Sequence, residues 1–552
     1  MAACANSKRS FLLMTSLCVC GMLASAAQTA SVPQTNAANG YRIAGTVVSK
    51  TDRRPLFHAR ISLNDVKDVQ KTQSMVTAED GKFEFNGLPA GKYSLNGGKR
   101  GFISAAYDQH GRFSTAIVTG ASLDTETLTL RLTPSAVITG KVLDEIGEPV
   151  RHATVTLYYD DHSAGVDQIR QLRSSPTDDL GTYELTPLGP GTYFLSASAK
   201  PWYAVHPNSE ERGQRAEATV VDRSLDVAYP MTYYADVADS DSATPILVQG
   251  GERVDADIHL NPVPALHLLF RVPSDGRNGA EFPQLQQTAF DGTTSVQTTG
   301  GHMVSPGLFE ITGIPAGRYN VRMGGQGSGI QMNGVDLNKD GEQLDTSRAE
   351  ALSSVKVSVR IAGEAALPTQ LTVALRSGHR DAVAFQQVNA KGEVELQQVP
   401  AGKYEVVIGG TAMPYSISRI ASSGGDVSGH TLSVAPGTSP SISLTLAGGS
   451  VDVQGTVKSE GKPCAGAMVV LVPKNPEIDH DLFRRDQSDL DGTFLLRGVI
   501  PGSYTVLAIQ NGWDLDWSQP ALMTAYLKRG QAIEVSGGRP VNLTDAIEVQ
   551  SK

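Results

Sequence analysis

The chain has 552 residues, a formal net charge of −10, 40% hydrophobic residues, 56 glycines and 29 prolines. Acidity without a basic patch argues against nucleic acid or an anionic membrane surface as partner. The apolar fraction argues against global disorder, and the glycine and proline content implies many turns.

The N-terminus reads as a targeting segment. Lys8-Arg9 precedes the apolar run Phe11–Leu23 and the small-x-small triplet Ala24-Ser25-Ala26, the pattern of signal-peptidase cleavage. The run is short for a membrane span, so residues 1–26 are expected to be a signal peptide. A lipid-anchored alternative would use Cys18 or Cys20, but Leu17 and Val19 stand where a small residue belongs. The expectation is therefore a secreted protein, periplasmic, cell-surface or extracellular, with no transmembrane span in the mature chain. Cleavage removes Lys8 and Arg9 and moves the net charge from −10 to −12. It also leaves Cys464 as the one cysteine, so no intramolecular disulfide is expected, and Cys464 should pack as a small apolar residue at a strand entry. Residues 27–40 read as a flexible leader.

Downstream, one fifteen-residue pattern returns five times without insertion: Gly81–Leu95, Gly181–Leu195, Gly307–Val321, Gly392–Val406 and Gly492–Val506. Each copy begins with glycine (Gly81, Gly181, Gly307, Gly392, Gly492). Apolar residues follow two and four places on. A second glycine (Gly91, Gly191, Gly317, Gly402, Gly502) and a tyrosine two places later (Tyr93, Tyr193, Tyr319, Tyr404, Tyr504) complete it. Alternation such as Phe83/Phe85 and Tyr93/Leu95 gives strands with one buried face, and Leu88-Pro89-Ala90-Gly91 supplies a turn. The motif therefore predicts a hairpin whose tyrosine is a core residue with its hydroxyl at the domain edge. Five matched copies imply a tandem array.

The repeats divide the mature chain into units near 100 residues: 41–133, 134–262, 263–350, 351–448 and 449–552. Complete units read strand, turn, strand, variable insert, the Gly-to-Tyr motif and one or two closing strands, the pattern of an all-β sandwich. The third and fourth are degenerate, and Val355–Ile361 fits either the end of one or the start of the next. Outside the signal there is no convincing helical period, only the option of short turns in Asp167–Arg173 or Asp479–Arg485. Gly324–Gly334 reads as a mobile loop.

Gly-x-Val near the start, Gly147-Glu-Pro149 or Gly461-Lys-Pro463 before the second strand, and Asp80-Gly81-x-Phe83 followed by Leu88-Pro-Ala-Gly-x-Tyr93 resemble the carboxypeptidase regulatory-like domain. That transthyretin-like β-sandwich belongs to a starch-binding-like fold group and is similar to the CnaB repeats of surface adhesins. The resemblance implies an all-β array of about five transthyretin-like (prealbumin-like) sandwiches after the signal. Its motif residues are turn and core residues, so it implies fold far more than function. No histidine has glutamate three places on, and the chain has no Gly-x-Ser-x-Gly and no phosphate-binding glycine loop, so neither an enzyme nor a cofactor is expected.

Three features are candidates for more than fold. Trp513-Asp514-Leu515-Asp516-Trp517, with Trp202 and Tyr203, offers rings and carboxylates for stacking on a sugar and binding its hydroxyls; packing at the open end of a sandwich accounts for the same rings. Asp336-Leu-Asn338-Lys-Asp340-Gly341 copies the first half of a calcium loop, but Ser347 stands where the bidentate acid belongs. Lys458 and Asn542 are the one pair suited to a CnaB-type isopeptide bond. The functional expectation is a secreted, non-enzymatic protein for structural spacing and binding at the cell envelope, with an envelope protein or polysaccharide as partner. Carbohydrate binding through exposed aromatic loops is the alternative.

Overall fold

The computed structural model describes residues 40–552 apart from short internal stretches, the longest at 207–221 and 272–282. The expected signal segment and nearly all of the leader lie outside the described residues. Among the described residues no helix is long and apolar enough to cross a membrane.

Tyr41–Lys552 is built from five successive sandwiches on one plan, the first four with two separate main sheets, while in the fifth the last strand, Ile547–Ser551, pairs with both layers and joins them into one nine-stranded sheet. In the first, the opening strand Tyr41–Ser49 pairs antiparallel with Lys82–Leu88 and parallel with the closing strand Leu128–Pro134. The facing sheet pairs Arg60–Asp65 with Thr72–Val76 and with Gly91–Gly98. The same relationships recur around the opening strands Ala136–Leu143, Leu266–Arg271, Ser353–Ile361 and Val451–Ser459. Val355–Ile361 thus lies in the strand that opens the fourth pair of sheets. Each sandwich encloses its own apolar core, such as Ile43, Val47, Ile61, Phe83, Phe85, Tyr93 and Leu95 in the first.

The repeated motif is not a hairpin. Its two arms, Lys82–Leu88 and Gly91–Gly98 in the first repeat, belong to opposite sheets and pair with different strands. It is an arch over the open edge of the sandwich, so Phe83 and Phe85 meet Tyr93 and Leu95 across the core instead of along one surface. An alternating sequence is satisfied equally by either arrangement, which is why periodicity could not separate them.

The two motif glycines do different jobs. The first has φ between +68° and +82° in all five copies. A Cβ on Gly81 or Gly181 would also lie 2.7–2.8 Å from the carbonyl oxygen of Val47 or Val142, so backbone conformation and close approach both require glycine there. The second glycine leaves room for the tyrosine ring two residues on, which folds back to 3.1–3.8 Å from where a Cβ would be at Gly91, Gly317, Gly402 and Gly502. That fold-back brings each hydroxyl to a carbonyl four residues upstream. Tyr93, Tyr193, Tyr319, Tyr404 and Tyr504 donate to the carbonyls of Pro89, Gly189, Pro315, Pro400 and Ile500 at 2.5–3.0 Å. The tyrosine locks the arch and satisfies its own buried hydroxyl in one contact.

Other expectations are corrected. Gln168–Pro176 is a strand paired with Thr154–Asp161, so Asp167–Arg173 forms no helical turn. Gly317–Gly325 and Ser328–Leu337 pair as a long antiparallel ribbon, where a glycine-rich loop was expected; Ile330 and Met332 alternate into the core beneath the glycines. A helix does form, at Pro520–Leu527, with proline in its first turn.

Candidate functional site

Four of the six residues singled out for sugar stacking, Trp513, Asp514, Asp516 and Trp517, lie in the fifth repeat. Its strand Met468–Pro473 is buried on both faces. One face lines the sandwich core, with Val469 and Leu471. The other carries Met468, Val470 and Val472 under Phe483, Trp517 and Met523, with Trp513 and Leu515 beside them. The segment Gly512–Gln519 and the helix after it are therefore the lid of a second core. The sequence signal was the run Met468-Val-Val-Leu-Val472, which does not alternate, as expected of a strand covered on both sides.

Trp513 and Trp517 do not form a platform facing solvent together. Trp517 is 9% exposed and lies edge-on to Phe483, 6.3 Å between ring centroids. Trp513 donates its Nε1–H to the carbonyl of Gly466 at 3.2 Å and stacks on His110 of the first repeat, centroids 4.9 Å apart at 8°. Asp514 is held by the Lys552 ammonium, whose hydrogen bond keeps its carboxyl below the ordinary range. Asp516 accepts from Gln519 at 2.8 Å. Trp513 is covered by the first repeat, Trp517 by the outer core of the fifth, and the two carboxylates are engaged by Lys552 and Gln519.

That docking is the principal geometry of the site. The Arg485 guanidinium lies 4.8 Å from the ring centroid of Phe113 in the first repeat, and 5.4 and 4.8 Å from Trp513 and Trp517. Burial, then repulsion from Arg112, pushes Arg485 down to about 10. Beside it Gln487 donates to Thr115 Oγ1 at 2.8 Å and to the Asp108 carbonyl at 2.6 Å. The Leu490 amide donates to the Ala116 carbonyl at 3.0 Å, while Ala116 returns its amide to Asp489 at 2.9 Å. Lys92 completes the contact with Asp489 at 2.5 Å and Thr493 at 2.6 Å. Burial raises Asp489 above the usual carboxylate range although Lys92 opposes it.

The second repeat joins through a loop tip. Ser518 donates its amide and hydroxyl to the Gly165 carbonyl at 3.2 and 2.9 Å. A Cβ on Gly165, φ +79°, would lie 2.7 Å from Trp517 and 2.8 Å from the Ser518 nitrogen, so only glycine fits. At that tip Asp160, His162 and Asp167 converge. Burial, then Asp167, raises Asp160 to about 6.

Trp202 and Tyr203 lie apart from this junction. Trp202 is 84% exposed and sits edge-on to Tyr203, 5.8 Å between centroids. Tyr203 and Tyr229 both donate to Glu145, Tyr229 at 2.9 Å, and burial followed by Glu145 raises Tyr203 to about 12. In the calcium-like segment, Asp340 accepts from the His267 amide and Nδ1 at 3.1 and 2.7 Å, which turns one would-be ligand toward a buried imidazole. The isopeptide pair is not brought together. Parallel register sets Asn542 beside Gln454 and Glu548 beside Lys458, four residues further along the strand. Four residues is about 13 Å of strand, beyond reach of an amide bond. Cys464 is half-buried at the strand entry, and burial pushes its thiol up.

Residues 42–133 match the model of the family described as Carboxypeptidase regulatory-like domain. No curated protein matches the chain. Among solved structures, the Bacillus anthracis TIE protein is 10% identical, covering 94% of this chain and 69% of that one at a TM-score of 0.15. The minor pilin GBS52 of Streptococcus agalactiae is 14% identical over 41% of this chain and 97% of its own, TM-score 0.22. The shaft pilin SpaA from Lactobacillus rhamnosus GG is 10% identical over 41% and 98%, TM-score 0.19. At these scores the likenesses carry nothing about function. The first of the five sandwiches is the part of the chain that the carboxypeptidase regulatory-like domain describes.

Proposed function

We propose that the chain is a non-enzymatic β-sandwich scaffold of the cell envelope whose first, second and fifth repeats are locked into one body, from which edge strands and variable inserts meet a partner. The observation that carries this reading is the docking of the first repeat on the fifth through Lys92, Gln487, Asp489 and Arg485. A freely jointed spacer has no use for a half-buried ion pair and a cation held among three aromatic rings. A body of fixed shape does, because recognition through an exposed edge requires strands held in register. The chemistry of the array, turn glycines and self-satisfied tyrosines, is spent on shape.

The test is retention of the chain from Ala27 on native envelope fractions, before and after protease treatment of the envelope. Retention that protease abolishes supports a protein partner. Absence of retention on every fraction rejects the envelope reading.

A second reading, carbohydrate binding, is favoured at Trp202 alone. Its exposed indole stands beside Tyr203, which donates to Glu145, and an exposed ring with polar neighbours is what stacks on a pyranose and binds its hydroxyls. Retention on insoluble polysaccharide that Trp202→Ala removes would favour it. Retention unchanged by that substitution would reject it.

A further inference from the structure

We infer that the loop tip of the second repeat is a divalent-cation site of the zinc class, made by Asp160, His162 and Asp167 and completed by Asp516 of the fifth repeat. Asp160 lies at the end of the strand Thr154–Asp161 and His162 just beyond it, with their side chains facing each other. Asp167 stands across the tip, just before the returning strand Gln168–Pro176. One ligand atom from each of the three lies within 4.8 Å of the others.

The spacing is that of ligands around an ion, and too long for hydrogen bonds. His162 Nε2 is 3.6 Å from Asp160 Oδ1 and 3.9 Å from Asp167 Oδ1. Tetrahedral bonds of about 2.0–2.1 Å separate neighbouring ligands by roughly 3.3–3.4 Å, so a cation at the centre draws these atoms in by a few tenths of an ångström. A second observation is independent of the spacing. Asp160 Oδ1, His162 Nδ1 and Asp516 Oδ1 are all buried atoms without a hydrogen-bond partner. His162 Nδ1 and Asp516 Oδ1 face each other, which leaves the buried Asp160 Oδ1, turned toward His162 Nε2, as the costly orphan that a cation satisfies.

Asp516 supplies the remaining element. Its Oδ1 is 3.5 Å from His162 Nδ1, on the side of the ring away from the two ligand carboxylates. A metal-binding imidazole generally donates its other N–H to such a carboxylate, which fixes the tautomer and leaves Nε2 free to bind. The loop is already held in place, because Gly165 is seated on Trp517 and Ser518. One imidazole and two carboxylates suit zinc, whose fourth position water can take, better than calcium, which takes six to eight oxygens. The bound ion would tie the second repeat to the fifth.

The experiment is calorimetric titration of the untagged chain from Ala27 with zinc chloride. The expected result is one ion per chain, with affinity about 100-fold weaker in His162→Ala, and about 10–100-fold weaker in Asp516→Asn, whose carboxylate meets the imidazole with one oxygen and Gln519 with the other. Asp167 is exposed, so Asp167→Ala keeps the fold and should weaken binding at least about tenfold. His259→Ala, at an exposed histidine paired with Asp236, should leave it unchanged. No zinc uptake by the native chain, or uptake that survives both His162→Ala and Asp167→Ala, would overturn the assignment.

Discussion

The ammonium of Lys92 lies 2.5 Å from the carboxylate of Asp489, across 397 residues of chain. Lys92 is on the second arm of the first arch, and Asp489 lies in the turn that leads into the fifth. Their side chains are 32% and 17% exposed, so the pair is shielded more than a surface ion pair yet not fully dry. Lys92→Met leaves Asp489 partly buried without its cation. The expected loss is about 1–3 kcal/mol of docking. Limited proteolysis should then cut the 108–116 segment faster in the variant than in the native chain.

Asp486 gives the account a pH signature. Its carboxylate accepts from the Leu495 amide at 2.7 Å, but burial raises it to about 6. The sign follows from the raised value: the protonated form is the one the fold prefers. Stability from this group is present below its unfolded value of about 3.9 and is lost as pH rises through about 6. Asp486→Asn keeps an acceptor for Leu495 and removes the ionisation. Urea midpoints should match at pH 4, and the variant should be more stable at pH 8 by at most about 2–3 kcal/mol.

The tyrosine locks differ in burial, and substitution should rank them. The Tyr504 bond to the Ile500 carbonyl is buried, whereas the Tyr93 bond to Pro89 is only partly so. Tyr504→Phe strands a buried carbonyl and should cost about 1–3 kcal/mol; Tyr93→Phe should cost less, because water replaces the hydroxyl. Equal losses in thermal unfolding would show that the hydroxyls do not hold the arches.

The two candidate aromatic sites separate by the same logic. Trp517→Ala empties the outer core of the fifth repeat and should cost about 3–5 kcal/mol, with loss of near-ultraviolet circular dichroism. Trp202→Ala removes an exposed ring and should leave stability within about 0.5 kcal/mol.

How far the sequence speaks depends on the distance between the residues concerned. Gly81, Gly91 and Tyr93 could be read as one unit because their constraint is local: a positive φ, a space, and a ring folding back four residues. Whether the arms flanking Pro89 pair with each other or with different strands depends on Arg60–Asp65 and Tyr41–Ser49, which the motif does not contain. The helix at Pro520 was invisible because its apolar residues face a core that exists only once Met468–Pro473 is buried on both sides. Trp513 read as exposed for a similar reason: its cover is His110, some 400 residues away. His162 carried no signal either, since its partner Asp516 is brought in by the same closure.

Docking of the first repeat on the fifth can be read from a zero-length carbodiimide cross-link identified by mass spectrometry. Activated carboxylates form amides only with amines already in contact. The expected products are a Lys92–Asp489 cross-link and a Lys552–Asp514 cross-link, the latter joining two residues of the fifth repeat and serving as the internal control. A Lys552–Asp514 product with no peptide joining Lys92 to Asp489 would contradict the closure, and with it the scaffold of fixed shape.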